Sequence, residues 1–328
     1  MVDRGFGLVR ESAQRQIPTE AIVRIGFSLP LHGSAARPEG LITIAKRAEV
    51  LGYESLWVWD RLLAPVNPKA PYPLGDGTHP AQFRSVLDPL EALAFIAGQT
   101  ERITLGTSVL ILPLYNPTIL ARQLTTLDIL SNGRLKVGLG VGWNSDEADA
   151  AGVPWAQRGK CADEALLLLK ALWTTDPVEF KGRYYQIPLS YIGPKPIQKP
   201  HPPIYLGAFT PAAMRRIAQQ ADGWNVVGVP LGSVPVMFEA IKDMCREVGR
   251  DPGELELVVR ANVKISAKLL GADRIDFQGT LEQIGADVAK ARQVGATELF
   301  FDLWTAHPEV DTVDHWIMFM EQLWKIAM

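Results

Sequence analysis

The chain has few cysteines and histidines, and their positions exclude several kinds of site. Its two cysteines, Cys161 and Cys245, lie far apart and form no CxxC motif, and its five histidines form no pair at the spacing of metal ligands. We therefore expect neither a disulfide framework nor a metal site. Cysteine usage of this kind is typical of a reducing compartment and predicts a cytoplasmic protein.

Long apolar runs and an excess of basic charge are also absent. No apolar run reaches about 18 residues, the length that a membrane-spanning helix requires. The 33 Lys and Arg residues against 36 Asp and Glu residues leave a formal net charge of −3, so the sequence shows no basic field for nucleic acid. We expect a small-molecule substrate, with neither a membrane nor nucleic acid as a partner.

From residue 23 onward, short runs rich in β-branched residues alternate with patterns of helical periodicity. The predicted strands are 23–29, 55–59, 103–107, 135–139, 204–206, 223–227, 255–263 and 298–301, and the predicted helices are 38–51, 89–99, 118–130, 157–173, 211–220, 233–248, 280–293 and 309–326. Eight such alternations predict an α/β fold with a parallel sheet closed into a (βα)8 TIM barrel. An open, doubly wound sheet is the alternative.

The predicted domain spans residues 23–328 and contains two long insertions. Residues 1–22 are charged and lack the apolar core of a secretory signal, so we expect a flexible N-terminal extension. The segment 60–87 is rich in Pro and Gly and too long for a simple connection, which predicts a lid or a substrate wall. The proline-rich segment 174–202 is a second insertion.

Barrel enzymes place their chemistry at the carboxyl ends of the strands. The corresponding segments here are 28–32, 59–61, 107–109, 140–144, 207–210, 227–229, 263–265 and 302–304. Asp60 and Arg61 end the second strand, and we take them as catalytic candidates together with His79 of the long loop. A purely structural contact between Asp60 and Arg61 at the barrel rim is the alternative, and His32 is a further candidate.

Two glycine-containing strand ends are candidates for ligand binding. The pattern Gly138-x-Gly140-x-Gly142 lacks the third glycine and the distant acidic residue of a dinucleotide fingerprint. Close strand packing is one interpretation, and the following Trp143 and Asn144 favour a loop that faces a ring-shaped ligand. In the segment 207–211, Thr210 and Pro211 suit a helix start, which either binds phosphate or is an ordinary cap.

Three stretches of the sequence resemble the bacterial luciferase-like family, in particular its oxidoreductases that use the deazaflavin coenzyme F420. They are LGTSVL at 105–110 with YNP at 115–117, GLGVGW at 138–143, and GAFTPAAMRR at 207–216 with ADGW at 221–224. The resemblance spans roughly residues 23–328. It implies a (βα)8 barrel whose elongated pocket holds F420 or, alternatively, FMN.

The resemblance also implies roles for individual residues. Thr107, Ser108 and Val109 would back the central ring, with a non-proline cis peptide between Ser108 and Val109. The full set of expected cofactor-binding residues is Ser28, Asp60, Thr107, Ser108, Val109, Gly142, Trp143, Asn144, Gly207, Ala208, Phe209 and Thr210. The phosphate would lie at 208–210, and Arg260 and Lys264 are cations available for the anionic tail of F420.

Arg61 departs from the pattern of the F420-dependent relatives, which often have His after the Asp of this strand. A guanidinium stays protonated at ordinary pH and cannot act as a general base. The sequence predicts an F420-dependent oxidoreductase that transfers a hydride to or from a small organic substrate. An FMN-dependent monooxygenase and a catalytically silent flavin-binding barrel are the alternatives, and we expect a homodimer.

Overall fold

The computed structural model describes residues 23–303 and 311–328. The strands in this part are β1 (Arg24–Ser28), β2 (Ser55–Val58), β3 (Thr104–Thr107), β4 (Leu110–Ile111), β5 (Leu135–Gly140), β6 (Val178–Lys181), β7 (Gln186–Ser190), β8 (Ile204–Leu206), β9 (Gly223–Val226), β10 (Glu256–Asn262), β11 (Lys264–Ile265), β12 (Gln278–Gly279) and β13 (Glu298–Asp302). The expected N-terminal extension, 1–22, and the end of the segment 302–304 lie outside the described residues.

Helices follow the barrel strands on the outer face. The α-helices of the described residues are α1 (Pro38–Leu51), α2 (Pro89–Ala97), α3 (Pro117–Leu130), α4 (Ser145–Ala150), α5 (Arg158–Thr174), α6 (Pro211–Gln220), α7 (Val234–Glu247), α8 (Leu281–Gln293) and α9 (Val313–Ala327). Several begin at a residue suited to that place: Asp88, Asn116 and Thr280 each accept a backbone N–H of the first turn. Across residues 23–303 and 311–328, no helix is both long and apolar enough to cross a membrane.

Eight parallel strands form a closed barrel, as the alternation of strands and helices predicts. They pair in the order β3, β2, β1, β13, β10, β9, β8 and β5, and β3 also pairs with β5, which closes the ring. The open-sheet alternative is therefore wrong. Predicted and observed element ends agree within two residues, except that α9 begins at Val313 rather than at residue 309. The short strand β4 extends the pairing with β5 beyond the end of β3.

Large side chains fill the middle of the barrel because two strands carry glycine there. Trp57 of β2 stacks on Phe300 of β13 with ring centroids 4.8 Å apart. A Cβ atom at Gly106 would lie 2.4 Å from the Trp57 ring, and one at Gly26 would lie 2.9 Å from Phe300. The two glycines thus provide the space that the indole and phenyl rings occupy.

A buried polar cluster closes the amino end of the barrel. Glu298 is fully buried and forms ion pairs with Lys136 and, at 3.4 Å, with Arg24. It also accepts hydrogen bonds from the Ser55 hydroxyl and from Trp57 Nε1, the latter at 3.0 Å. Because a buried carboxylate is costly unless its oxygens are bonded, these partners make the charge tolerable. Access to the barrel interior is then left to the opposite end.

The insertion 174–202 contains a β-hairpin that the sequence analysis did not predict. Strands β6 and β7 pair antiparallel in a two-stranded sheet outside the barrel. Glu164 of α5 accepts hydrogen bonds from the N–H groups of Arg183, Tyr184 and Tyr185 at the hairpin turn, at 2.8, 2.7 and 2.7 Å. These hydrogen bonds to the Glu164 carboxylate stabilise the hairpin, although the prolines of the segment disfavour strand structure.

Gly138→Ala should destabilise the fold, because a Cβ atom there would lie 1.8 Å from the carbonyl oxygen of Thr107. We expect a loss of about 1–3 kcal/mol or more in the free energy of unfolding, as for other overpacked sites. Gly232→Ala is the matched control, since a Cβ atom at Gly232 meets nothing within 4 Å. Urea unfolding of both variants measures the difference, and equal stabilities would contradict this account of the strand contact.

Candidate active site

A cavity of about 420 Å³ lies at the carboxyl end of the barrel strands. This volume is in the usual range of small-molecule sites, and the walls are mostly apolar. The expected site residues that line it are Asp60, Arg61, Ser108, Val109, Gly142, Trp143, Gly207 and Phe209. No cluster of three or more potential metal ligands occurs in the part of the chain that the structure describes.

The peptide between Ser108 and Val109 is cis, which confirms the prediction for this position. Three strands hold it in place. Arg260 of β10 donates a hydrogen bond from Nη1 to the Ser108 carbonyl oxygen at 2.6 Å and pairs through Nη2 with Asp302 of β13, also at 2.6 Å. The Ser108 hydroxyl donates to Asn225 Oδ1 at 3.1 Å. Arg260 thus joins the Ser108 carbonyl group to Asp302 inside the barrel, and it also lines the cavity; its contact with a cofactor tail stays a prediction.

Glycines form a wall of the cavity that carries no side chains. Gly140, Gly142, Gly207 and Gly228 all line it. Gly142 has a φ of +75°, and a Cβ atom there would lie 2.7 Å from Ile111. Because these four residues have no side chain, a ligand ring can approach their backbone closely. Both interpretations of the glycine pattern apply, because Gly138, Gly140 and Gly142 each leave room for a neighbouring residue, and Gly140 and Gly142 also line the cavity.

Asp60 joins the end of β2 to the segment after β3. Its Oδ2 accepts hydrogen bonds from the Ile111 N–H at 2.9 Å and from the Tyr115 hydroxyl at 3.0 Å. The side chain is buried, and this burial raises the pKa of Asp60 although the two hydrogen bonds oppose the rise. Asp60 therefore has a structural contact and also lies on the cavity wall.

Arg61 pairs with Glu147 of α4 rather than with Asp60. Arg61 Nη1 lies 3.1 Å from Glu147 Oε2, and the two side chains are only 8% and 1% exposed. The guanidinium carbon lies 4.8 Å from the ring centre of Phe83 and 5.0 Å from that of Trp143. Burial lowers the pKa of Arg61, and the charge of Glu147 opposes this. The alternative of a structural contact between Asp60 and Arg61 is therefore wrong, because the partner of Arg61 is Glu147.

The segment 60–87 supplies one side of the cavity, as its length predicts. Tyr72, Leu74 and Phe83 line it. The centre of the Tyr72 ring lies 5.3 Å from that of Trp143. Leu74 packs against Gly228, where an added Cβ atom would lie 3.0 Å from Leu74 Cδ2. The segment therefore reaches from the end of β2 to the loop after β9.

Three other expected residues do not line the cavity, and each forms hydrogen bonds elsewhere. Ser28 Oγ accepts the Leu303 N–H at 3.4 Å, and Thr107 Oγ1 bonds to the backbone of Gly138 at 2.8 and 2.9 Å. Asn144 caps α4 by accepting the Asp146 N–H at 3.0 Å. These three side chains shape the strand ends instead of facing the cavity.

His79 lies behind the aromatic wall. Its Nε2 is 2.9 Å from the Ala70 carbonyl oxygen, and its ring is 5.2 Å from that of Trp143. The position does not support the catalytic role suggested by the sequence. His32 lies beside Trp59 with 5.9 Å between ring centres and does not line the cavity either.

The segment 207–210 leads from the cavity to helix α6. Thr210 caps this helix, with its hydroxyl oxygen accepting the Ala213 N–H at 3.3 Å, as the sequence predicts. Ala208 is buried, while Phe209 and Thr210 are exposed. The expected phosphate contact at these residues stays a prediction. Lys264, expected to be available for a cofactor tail, is exposed on β11 and does not line the cavity.

Comparison with known proteins decides the family. A family model described as luciferase-like monooxygenase matches residues 22–269. An uncharacterised protein of Mycobacterium tuberculosis is 34% identical over 223 residues, which cover 67% of this chain and 78% of that relative. The chain belongs to the luciferase-like monooxygenase family.

The chain is also similar to one curated enzyme and to two solved structures. The F420-dependent glucose-6-phosphate dehydrogenase of Amycolatopsis mediterranei is 32% identical over 191 residues, 57% of this chain and 53% of that relative. The solved structure of the monooxygenase RslO1 from Streptomyces bottropensis matches with a TM-score of 0.73 at 19% identity, over 92% of this chain and 98% of that one. An F420-dependent secondary alcohol dehydrogenase matches with a TM-score of 0.72 at 19% identity, over 93% and 99%. At these identities the two structures establish the fold.

Asp60→Asn should remove a pH dependence of stability from this luciferase-like protein. Burial raises the folded-state pKa of Asp60 above its ordinary value of 3.8, so its contribution to stability is fully present below that value and is lost as the pH rises through the raised pKa. The unfolding free energy of the wild type minus that of the variant should therefore fall with rising pH. Urea unfolding between about pH 4 and pH 7 tests this, and a difference that rises with pH would contradict it.

Proposed function

We propose that this protein is an F420-dependent oxidoreductase that transfers a hydride between the deazaflavin and a small organic substrate. The observation that carries the proposal is the side-chain-free wall of Gly140, Gly142, Gly207 and Gly228, which suits a flat ring, in a barrel of the luciferase-like family. The relationship to an F420-dependent dehydrogenase of Amycolatopsis mediterranei supports the choice of cofactor.

The residues around the cavity fit such a cofactor. Asn262 lines the cavity, and its buried Oδ1 has no hydrogen-bond partner within the described ranges, so a donor on a bound ring would satisfy it. Ser108 and Val109 would back the ring, and Trp143 would flank the chain that leads from it. The start of α6 would hold the phosphate, because a helix N-terminus offers N–H groups and the positive end of the helix dipole.

The bound deazaflavin would supply hydride transfer, and the protein would supply orientation and exclusion of water. Arg260 holds the wall at Ser108, and the rings of Tyr72, Phe83 and Trp143 cover the cavity. Arg61 remains a cation and donates hydrogen bonds. Asp60, whose pKa burial raises, is the carboxyl on the cavity wall that is placed to hold or release a proton.

An FMN-dependent monooxygenase is the second candidate, favoured by the similarity of the fold to that of the RslO1 monooxygenase. The glycine wall accepts either flat ring, so shape does not separate the two cofactors. Their ring chemistry does, because a deazaflavin has carbon where flavin has the nitrogen used in reaction with oxygen. Replacement of the relatives' His by Arg61 keeps a catalytically silent barrel as a third candidate.

Fluorescence titration of the purified protein with F420 and with FMN tests the proposal directly. We expect saturable quenching by F420 with a dissociation constant in the micromolar range or below, about −8 kcal/mol or better, and weaker binding of FMN. Micromolar FMN binding without F420 binding would instead support the monooxygenase. If neither cofactor binds, the proposals of an F420-dependent oxidoreductase and of an FMN-dependent monooxygenase are both contradicted.

Thr210→Glu should weaken F420 binding severely, because it places a carboxylate beside the expected phosphate position. Thr210→Ala should weaken it only modestly, by about 0.5–1.5 kcal/mol, since one side-chain hydrogen bond is lost. Gln219→Glu introduces the same charge at an exposed position in the last turn of α6 and should leave affinity unchanged. Equal affinities of the wild type and Thr210→Glu would exclude this helix start as the phosphate site.

A further inference from the structure

The guanidinium of Arg61 is held rigidly in the cavity wall. Glu147 binds it on one side and also accepts the backbone N–H groups of Leu62 at 2.8 Å and Leu63 at 3.4 Å. The rings of Phe83 and Trp143 lie within 5.0 Å of its central carbon. An ion pair and two rings thus hold the guanidinium in one orientation, and Arg61 lines the cavity.

Part of this guanidinium has no acceptor. Arginine carries five N–H donors, and the hydrogen bond to Glu147 uses one on Nη1. Nε is buried and lacks a hydrogen-bond partner, and within 23–303 and 311–328 no residue accepts from Nη2. Because Nε is enclosed by protein, only Nη2 can meet a ligand from the cavity, and we name this group the open edge of Arg61. A guanidinium donor without an acceptor in the protein is normally satisfied, so an acceptor on a ligand is expected in the working protein.

The charges around the cavity indicate what kind of acceptor it is. Arg61 is already paired with Glu147, and Arg260 is already paired with Asp302. Each arginine therefore has its own carboxylate, which leaves no net positive charge to attract an anion. The remaining walls are mostly aromatic and aliphatic. This combination favours a neutral, largely apolar compound with one strong oxygen acceptor.

We propose that the open edge of Arg61 binds the carbonyl oxygen of a neutral, largely apolar substrate. Glu147 is a positioning residue, which fixes the direction of the open edge and cancels the charge of Arg61. The inference rests on the proposed function in that the substrate shares the cavity with the cofactor. It assigns to Arg61 the binding of a ketone oxygen, in place of the proton transfer that a His at this position could perform.

Three probes of one shape separate the possible ligands. Cyclohexanone carries the carbonyl, methylenecyclohexane replaces its oxygen by carbon, and cyclohexanecarboxylate carries a negative charge. Ligand-observed NMR titrations would give their dissociation constants for the full-length protein, alone and saturated with F420. We expect the wild type to bind cyclohexanone at least tenfold more tightly than methylenecyclohexane and no less tightly than the carboxylate.

Substitutions then assign the preference to particular groups. Arg61→Met keeps the length of the side chain but removes its donors, and it should abolish the preference for ketone over hydrocarbon. Glu147→Gln leaves the cation unbalanced, so it should shift the ratio of ketone to carboxylate affinity at least tenfold toward the carboxylate. Loss of the ketone preference in Arg61→Met is the result that a merely structural ion pair would not produce, because such a pair donates nothing to the ligand. If Arg61→Met does not fold, Arg61→Lys and Glu147→Gln still test the assignment through the same ratios.

Titration of the same variants with F420 separates this inference from the proposed function. Arg61→Met should bind F420 as the wild type does. Loss of F420 binding in this variant would assign the open edge to the cofactor ring and overturn the inference while the proposed function stands. A ketone preference in a wild type that fails to bind F420 would support the inference alone. A ketone preference that is absent in the wild type, or that persists in Arg61→Met, would also overturn it.

Discussion

The hydrogen bond from Arg260 to the carbonyl oxygen of Ser108 holds the cavity wall in place at the cis peptide. It crosses the barrel interior and joins the end of β3 to β10, while Asp302 ties the same guanidinium to β13. Arg260 and Asp302 are 9% and 1% exposed, so loss of one partner would leave the other as a buried, uncompensated charge. The wall at Ser108 and Val109 therefore depends on an intact ion pair.

The barrel divides into a filled half and an open half because of where its small residues lie. Toward the amino end, Trp57, Phe300 and the cluster around Glu298 occupy the interior. Toward the carboxyl end, glycines replace side chains, and the loops after β2 and β5 provide aromatic rings instead. The same strands thus provide stability at one end and a binding cavity at the other, as in other barrels of this type.

Much of the fold follows from local patterns, whereas the partners within the site do not. Alternating apolar runs and helical periodicity predict the strands and helices because each pattern reflects which face of an element is buried. Strand order then places Asp60, Ser108 and Gly142 at one end of the barrel. The pairing of Arg61 with Glu147 joins residues 86 positions apart and depends on how two loops meet, so no local pattern reveals it. The acidic residues at 146–149 are the signal that could have suggested it.

In the irregular segments, too, local sequence patterns do not reveal contacts between distant residues. The position of His79 behind Trp143 depends on the path of a long loop, and composition alone does not determine that path. The hairpin β6–β7 forms in a proline-rich segment because Glu164 supplies an acceptor for its turn. Arg260 interrupts the apolar run of residues 257–261 in β10, and this interruption is a sequence signal for an inward-facing charge.

A crystal structure of the protein in complex with F420 would show whether the strand ends form a slot for a deazaflavin. We expect the ring against Ser108 and Val109 beside the glycine wall, with the phosphate at the start of α6. A ring bound outside this cavity, or a phosphate held away from Gly207–Thr210, would contradict this expectation.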